Sequence, residues 1–227
     1  FIINSVKYID TRRYFMKSKL KKIMGICLSM ALVCSLSFPV YAKQPDYEFD
    51  EQTGHLFVRE NIKRKTTFSW TAMASSFYNL GSIPANKIKS ITIKDGVTKI
   101  GSLAFANCEN LKSVTIPDSV TEIGNCAFSY CTGLTSIDIP NSVISIGEGA
   151  FLGCEDLTSV TIPDSVTEIG EGAFKKCTGL TSVTIQNGVK SIGKFAFDSC
   201  TSLTSVTIPD SVKKIGGGAF YGCPYQP

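Results

Sequence analysis

The stretch VTIPDSVTEIG runs from Val114 to Gly124 and returns letter for letter from Val160 to Gly170, 46 residues further on. The interval is twice 23, and 23 is the period of the whole region. Cysteines stand at 108, 131, 154, 177, 200 and 223. Phe105, Phe128, Phe151, Phe174, Phe197 and Phe220 follow the same step, each preceded by Ala, as do Gly101, Gly124, Gly147, Gly170, Gly193 and Gly216. Six units result, 88–110, 111–133, 134–156, 157–179, 180–202 and 203–225, each close to L-x-S-V-T-I-P-D-S-V-T-E-I-G-x-x-A-F-x-x-C-x-x. Equivalent side chains that recur this regularly must meet their own copies in the next turn of a solenoid.

Within a unit, Leu111, Val114 and Ile116 alternate with Ser113 and Thr115, the period-2 pattern of a short strand with one face buried. Pro117 cannot donate to a ladder and ends the strand, and Asp118-Ser119 form the turn. Val120 and Ile123 return apolar groups to the interior, and the glycine after Ile123 is expected to supply a tight or left-handed bend. Ala127-Phe128 and Cys131 complete the inner face on a helical or 3₁₀ turn. One such unit cannot offset the entropy of ordering its backbone, so stability has to come from stacking.

These motifs resemble the BspA-like leucine-rich repeat family. The resemblance covers 88–225; Lys94-Asp95-Gly96 and Gln186-Asn187-Gly188 replace Pro-Asp-Ser in two units and still spell a turn. It implies an α/β repeat solenoid, a right-handed superhelix of six 23-residue units with one short parallel strand each. It also implies a β-hairpin cap before the repeats and a task in bacterial surface adhesion, with host extracellular matrix or a neighbouring cell surface as partner.

Outside the repeats the chain reads in three further segments. Residues 1–15 lie upstream of Met16, a good start, and read as extra sequence. Residues 16–42 have the form of a secretory signal peptide: Lys17, Lys19, Lys21 and Lys22, an apolar run from Ile23 to Phe38, then Val40-Tyr41-Ala42. Residues 43–87 do not repeat and are expected to cap the column, with a hairpin across Tyr47–Asp50 and His55–Glu60. Residues 88–227 are the solenoid. Its end at Cys223-Pro-Tyr-Gln-Pro227 reads either as an edge blunted by Pro224 and Pro227 or as the break of a longer chain.

Residues 1–42 hold seven of the 23 basic residues and one of the 19 acidic ones, which leaves 16 against 18. The excess of positive charge therefore belongs to residues 1–42, and no nucleic-acid partner follows from it. No stable membrane insertion is expected after cleavage, and the location is secreted or cell-surface associated.

No chemistry emerges from the motifs. The six-cysteine ladder runs along a line without histidine, which does not suit zinc, and in-register rungs do not bring Cβ atoms to disulfide distance. Cys126 is off the ladder and could pair with Cys131 or stay free. His55 is the single histidine, read as a surface or packing residue, so serine and cysteine nucleophiles lack a base. Gly147-Glu-Gly149 and Gly170-Glu-Gly172 recur at one place in the repeat, as do Asp118, Asp164 and Asp210, and are read as turn residues. No catalytic residue, cofactor or metal is expected.

The candidate binding surface is instead the outward strand columns: Ser113, Ser136, Ser159, Ser182 and Ser205 beside Thr115, Asp138, Thr161, Thr184 and Thr207. To these are added charged residues at which the copies disagree, Glu168, Glu171, Lys213 and Lys214, because a residue free to differ is not required by the stack. Tyr130, Phe195 and Tyr221 disagree in the same way. The function expected is a non-catalytic interaction or adhesion module; the alternative is a spacer or a fragment of a larger surface protein.

Overall fold

A hairpin opens the described chain: β1 (Tyr47–Asp50) and β2 (His55–Val58) pair antiparallel, with Asp50 opposite His55. Asp50 Oδ1 accepts the backbone N–H groups of Gln52 (2.9 Å) and Thr53 (3.3 Å), which closes the turn. The computed structural model describes residues 47–59 and 83–225, all within the unit Pro45–Pro227. The leader, the upstream segment and the stretch Ile62–Leu80 lie outside the described residues.

β2 continues into the repeats by pairing parallel with β3 (Ser90–Ile93), Leu56 beside Ile91 and Val58 beside Ile93. β4 (Lys99–Ile100) follows, then β5 (Ser113–Thr115), β6 (Glu122–Ile123), β7 (Ser145–Ile146), β8 (Ser159–Ile162) and β9 (Glu168–Ile169). The last rungs supply β10 (Ser182–Ile185), β11 (Ser191–Ile192), β12 (Ser205–Thr207) and β13 (Lys214–Ile215). Every ladder in the repeats is parallel and in register at the 23-residue step, Val160 beside Val183 and Ile146 beside Ile169.

The expectation of one strand per unit needs correction. A second, two-residue strand follows the Pro-Asp-Ser turn, and its copies form a continuous six-stranded sheet, β13-β11-β9-β7-β6-β4. The first sheet is split, into β1-β2-β3-β5 and β12-β10-β8, because Ser136–Ile139 of the third rung makes no ladder with either neighbour. The break coincides with Asp138, a residue type depleted from strands, where the other rungs carry Thr. The helical contribution implied by an α/β label is also absent among the described residues. They hold strands, turns and one 3₁₀ turn at Ala85–Lys87, so the architecture is a β-solenoid.

The third side of each rung is a run of tandem turns. Ala127, Ser129 and Cys131 donate backwards to the carbonyls of Gly124, Cys126 and Phe128, while Cys126, Phe128 and Tyr130 donate across to Glu148, Ala150 and Leu152 of the next rung. Alternate amides thus close a local turn and bridge two rungs, which leaves the buried backbone paired without a helix. The geometry requires a left-handed residue at two places per rung: Cys126 (φ 53) and Tyr130 (φ 57), then Gly149 and Gly153, then Gly172 and Lys176.

The repeated glycine after the second strand has a different cause from the bend expected for it. A Cβ on Gly170 would stand 2.6 Å from the carbonyl carbon of Gly147, and one on Gly124 would stand 2.7 Å from Ser102 N, while neither residue has a positive φ. These glycines permit the close approach of one backbone to the next, and the left-handed turn comes two residues later.

The core is a set of columns. Phe105, Phe128, Phe151, Phe174, Phe197 and Phe220 stack with centroids 5.1–5.4 Å apart, flanked by the leucine, valine and isoleucine columns. The ladder thiols are buried and form no disulfide, and from Cys131 onward each Sγ donates to the carbonyl of a phenylalanine 26 residues earlier: Cys131 to Phe105 (3.2 Å), Cys154 to Phe128 (3.3 Å), Cys200 to Phe174 (3.1 Å). The Phe128 carbonyl also accepts the N–H of Cys131 (3.2 Å), so the thiol occupies its second lone pair.

Candidate interaction surface

Strand alternation turns Ser113, Thr115, Ser136, Asp138, Ser159, Thr161, Thr184, Ser205 and Thr207 outward and exposed, with Ser182 half-buried. Beneath them the valine and isoleucine columns are buried, so the face is a thin hydroxylic layer over an apolar floor. The hydroxyls just before these columns are committed to the stack: Thr158 Oγ1 donates to Thr135 O (3.4 Å) and Thr181 Oγ1 to Thr158 O (3.0 Å). The turn serines do the same. Ser142 Oγ donates to Val120 O and Ser165 Oγ to Val143 O, both at 2.6 Å, a task beyond the turn-forming one read from sequence.

The column serines and threonines of the third and fourth rungs have no such commitment. Where the first sheet is split, a depression of about 440 Å³ opens on its face. Ser136, Asp138, Asn141, Ser159, Thr161 and Gln186 supply its polar groups over Ile137 and Val160. A carboxylate, two amides and three hydroxyls thus line an open depression over buried apolar side chains.

The charged candidates do not share this face. Glu168 and Lys214 lie on the second sheet, each paired in register with Ser191, and Lys213 precedes Lys214 there. Glu171 sits where the tandem turns begin, its carbonyl accepting from Gly149 N. The single set drawn from sequence therefore falls on the first sheet, the second sheet and, for Glu171, the start of the turn side.

On the turn side, three aromatics at which the copies differ are exposed: Tyr130 (37%), Phe195 (41%) and Tyr221 (72%). Asp198 is buried on the same side in the fifth rung, with Lys175 Nζ at 2.8 Å from Oδ2 and Ser199 Oγ donating to Oδ1 (2.9 Å). Lys175 Nζ also stands 5.3 Å from the Phe195 ring centroid. Sequence reasoning noted Phe195 and missed Asp198; the signal was a lone carboxylate one rung from a lysine at the same repeat position.

Cys126 is half-buried and unpaired, its thiol pKa raised by burial and then by the Glu148 carboxylate. In the hairpin, His55 Nδ1 and Ser90 Oγ share a 2.6 Å hydrogen bond, and the ring lies edge-on to Phe57. This ties β2 to β3. No group of three or more His, Cys, Asp or Glu among the described residues is arranged to hold a metal ion.

The BspA type leucine rich repeat region matches residues 74–179 and 169–226, in six copies. The chain belongs to the BspA-type leucine-rich repeat family. Solved structures agree. A leucine-rich repeat protein of T. pallidum is 27% identical, with a TM-score of 0.61 over 80% of this chain and 87% of that one. A leucine rich cell surface protein from Faecalibacterium prausnitzii is 33% identical, with a TM-score of 0.58 over 79% of this chain and 51% of that one. A leucine-rich repeat protein from Bacteroides ovatus is 28% identical, with a TM-score of 0.50, and the match covers 79% of this chain and 56% of that one. The chain thus spans most of the first relative and about half of the other two. No curated protein matches it. Among the described residues, no helix of this BspA-type chain is long and apolar enough to cross a membrane.

Proposed function

We propose that this BspA-type protein is an extracellular, non-catalytic interaction module that binds another protein through its first sheet, at the third and fourth rungs. The observation that carries the reading is the depression around Asp138, where polar side chains, of which Gln186 is already bonded to the stack (its Oε1 accepts from Asp164 N, 3.0 Å), gather over an apolar floor at the break in the first sheet. The likeness to a cell surface protein supports the extracellular placement. The partner class is a matrix protein or a protein of a neighbouring cell surface, and the hairpin serves as a cap that shields the first rung's strand edge.

The test is binding of the full chain to a panel of immobilised extracellular-matrix proteins. Saturable binding is expected, weakened at least about tenfold by Asp138→Lys together with Thr161→Lys, a loss typical of a central interface position. Both residues are exposed, so the unfolding midpoint should stay in place. Absence of saturable binding to every panel member would overturn the reading in favour of a spacer. That second reading is favoured by the share of the two longer relatives that this chain covers.

A further inference from the structure

The fifth and sixth rungs, 180–225, carry four lysines, Lys190, Lys194, Lys213 and Lys214, against two carboxylates, Asp198 and Asp210. Asp198 is buried and held by Lys175, so it offers these lysines nothing. All four lysines are exposed, and none forms an ion pair among the described residues. By contrast Lys99 reaches Glu122 at 2.7 Å and Lys112 reaches Asp156 at 3.4 Å.

The fold sets three of these lysines side by side, and Lys194 follows where the tandem turns begin, at the place Glu171 holds one rung earlier. The N–H groups of Lys213 (2.9 Å) and Lys214 (3.3 Å) both donate to Lys190 O, and Lys214 is in register with Ser191. Neighbouring strands are about 4.8 Å apart, and like charges so placed repel. Nothing in the stack demands them: Thr98, Thr121 and Thr167 hold the place of Lys190 and Lys213 in other rungs, and Ser145 holds that of Lys214. Even the one polar contact of a lysine head here, Lys213 Nζ to Asp210 O (2.7 Å), leaves its charge unneutralised.

From this unpaired basic face we infer a second binding site, on the second sheet at its C-terminal end, for a linear sulfated polysaccharide. Lysine ammonium groups are strongly hydrated point charges, suited to ionic groups on a flexible, hydrophilic chain. A folded protein partner would want a central aromatic or arginine anchor, and these lysine columns hold neither; their exposed apolar residue, Ile144, lies two rungs from Lys190, and exposed Ile215 beside Lys214 is on the edge strand β13. A nucleic acid would want stacking rings or arginine forks, yet rungs five and six have no arginine and the columns no aromatic ring. Phe195, next to Lys194, is 41% exposed, and its ring already meets Lys175 Nζ at 5.3 Å from its centroid and lies against Gly218.

The site is separate from the first-sheet surface, so the two succeed or fail independently. The full chain is titrated with heparin at about 0.15 M salt, beside a variant with Lys190, Lys194, Lys213 and Lys214 all changed to Gln. Affinity should fall at least about tenfold, and the slope of log affinity against log salt should lose roughly two to three, as expected when that many ionic contacts go. A control, Lys87→Gln with Lys89→Gln at the entry to the first rung, should bind like the unaltered chain. In the unaltered chain, heparin should shield the four lysines from acetylation and leave Lys87 and Lys89 reactive, a readout independent of how any variant folds. An unchanged affinity in the four-lysine variant, an equal loss in the control, or uniform acetylation would overturn the site. Equal, lysine-dependent affinity for double-stranded DNA at matched charge would overturn the choice of a polysaccharide.

Discussion

The ring of Phe195 lies on Gly218: a Cβ built on that glycine would stand 2.5 Å from Phe195 Cε1 and 2.7 Å from Cδ1. Tyr130 and Gly153 repeat the relationship between the second and third rungs, with Cδ1 at 2.8 Å. Both members of each pair are left-handed residues at one position of the repeat. A large side chain is accommodated there because the next rung has none. Gly218→Ala should therefore cost about 3 kcal/mol, from left-handed strain and overpacking together. In a Phe195→Ala background the cost should drop to about 1–2 kcal/mol. Urea unfolding of the four proteins measures the coupling, and equal costs in both backgrounds would refute the contact.

Lys176 is exposed and held at φ 61, where Gly153 and Gly222 serve in other rungs. Its backbone bond to Asp198 O (2.7 Å) does not need a side chain. Lys176→Gly should raise stability by about 0.5–1 kcal/mol, the left-handed strain less the extra chain entropy of glycine. A loss of stability in thermal unfolding would show that the position is not strained.

Gly170 and Gly172 are two residues apart and should fail for different reasons. A methyl on Gly170 meets the backbone of Gly147, which cannot move aside without separating two rungs. A methyl on Gly172 finds Lys175 Cβ at 3.8 Å and suffers from its φ of +59. The expected costs are about 3 kcal/mol for Gly170→Ala and about 1–2 kcal/mol for Gly172→Ala. The reverse order in chemical denaturation would return the conserved-period glycine to the role of a bend.

Burial pushes the Cys154 thiol up to about 12 and the Cys223 thiol up to about 11, from an ordinary value of 9.0. Below pH 9 these thiols are protonated in both folded and unfolded chains and stability is flat. Between pH 9 and 12 the unfolded chain gives up protons that the folded one keeps, so stability should fall as pH rises through that window. Cys154→Ala should lessen the fall while lowering stability at neutral pH, since the Phe128 carbonyl loses a donor. Site-resolved alkylation at pH 8 should label the half-buried Cys126 ahead of every ladder cysteine. Equal labelling would contradict a closed core.

The 23-residue period, the phenylalanine, cysteine and leucine columns, the turn at Pro117-Asp118-Ser119 and the outward Ser–Thr columns were all legible in the sequence. Each follows from a side chain meeting its own copy one rung away, and a periodic sequence states that directly. The period could not reveal what depends on backbone distance and dihedral angle. The approach of Gly170 to Gly147, the left-handed places filled by Cys126 and Phe195, and the thiol bonds to phenylalanine carbonyls are set by how closely rungs settle. Nor could it divide the candidate residues between two sheets, since Glu168 and Thr161 differ only by seven positions in the chain. Tertiary structure placed them on different faces because the Pro-Asp-Ser turn redirects the chain between them. The split of the first sheet beside Asp138 is likewise a property of neighbouring rungs: one strand's hydrogen bonds require partners on both sides, and no single repeat contains them.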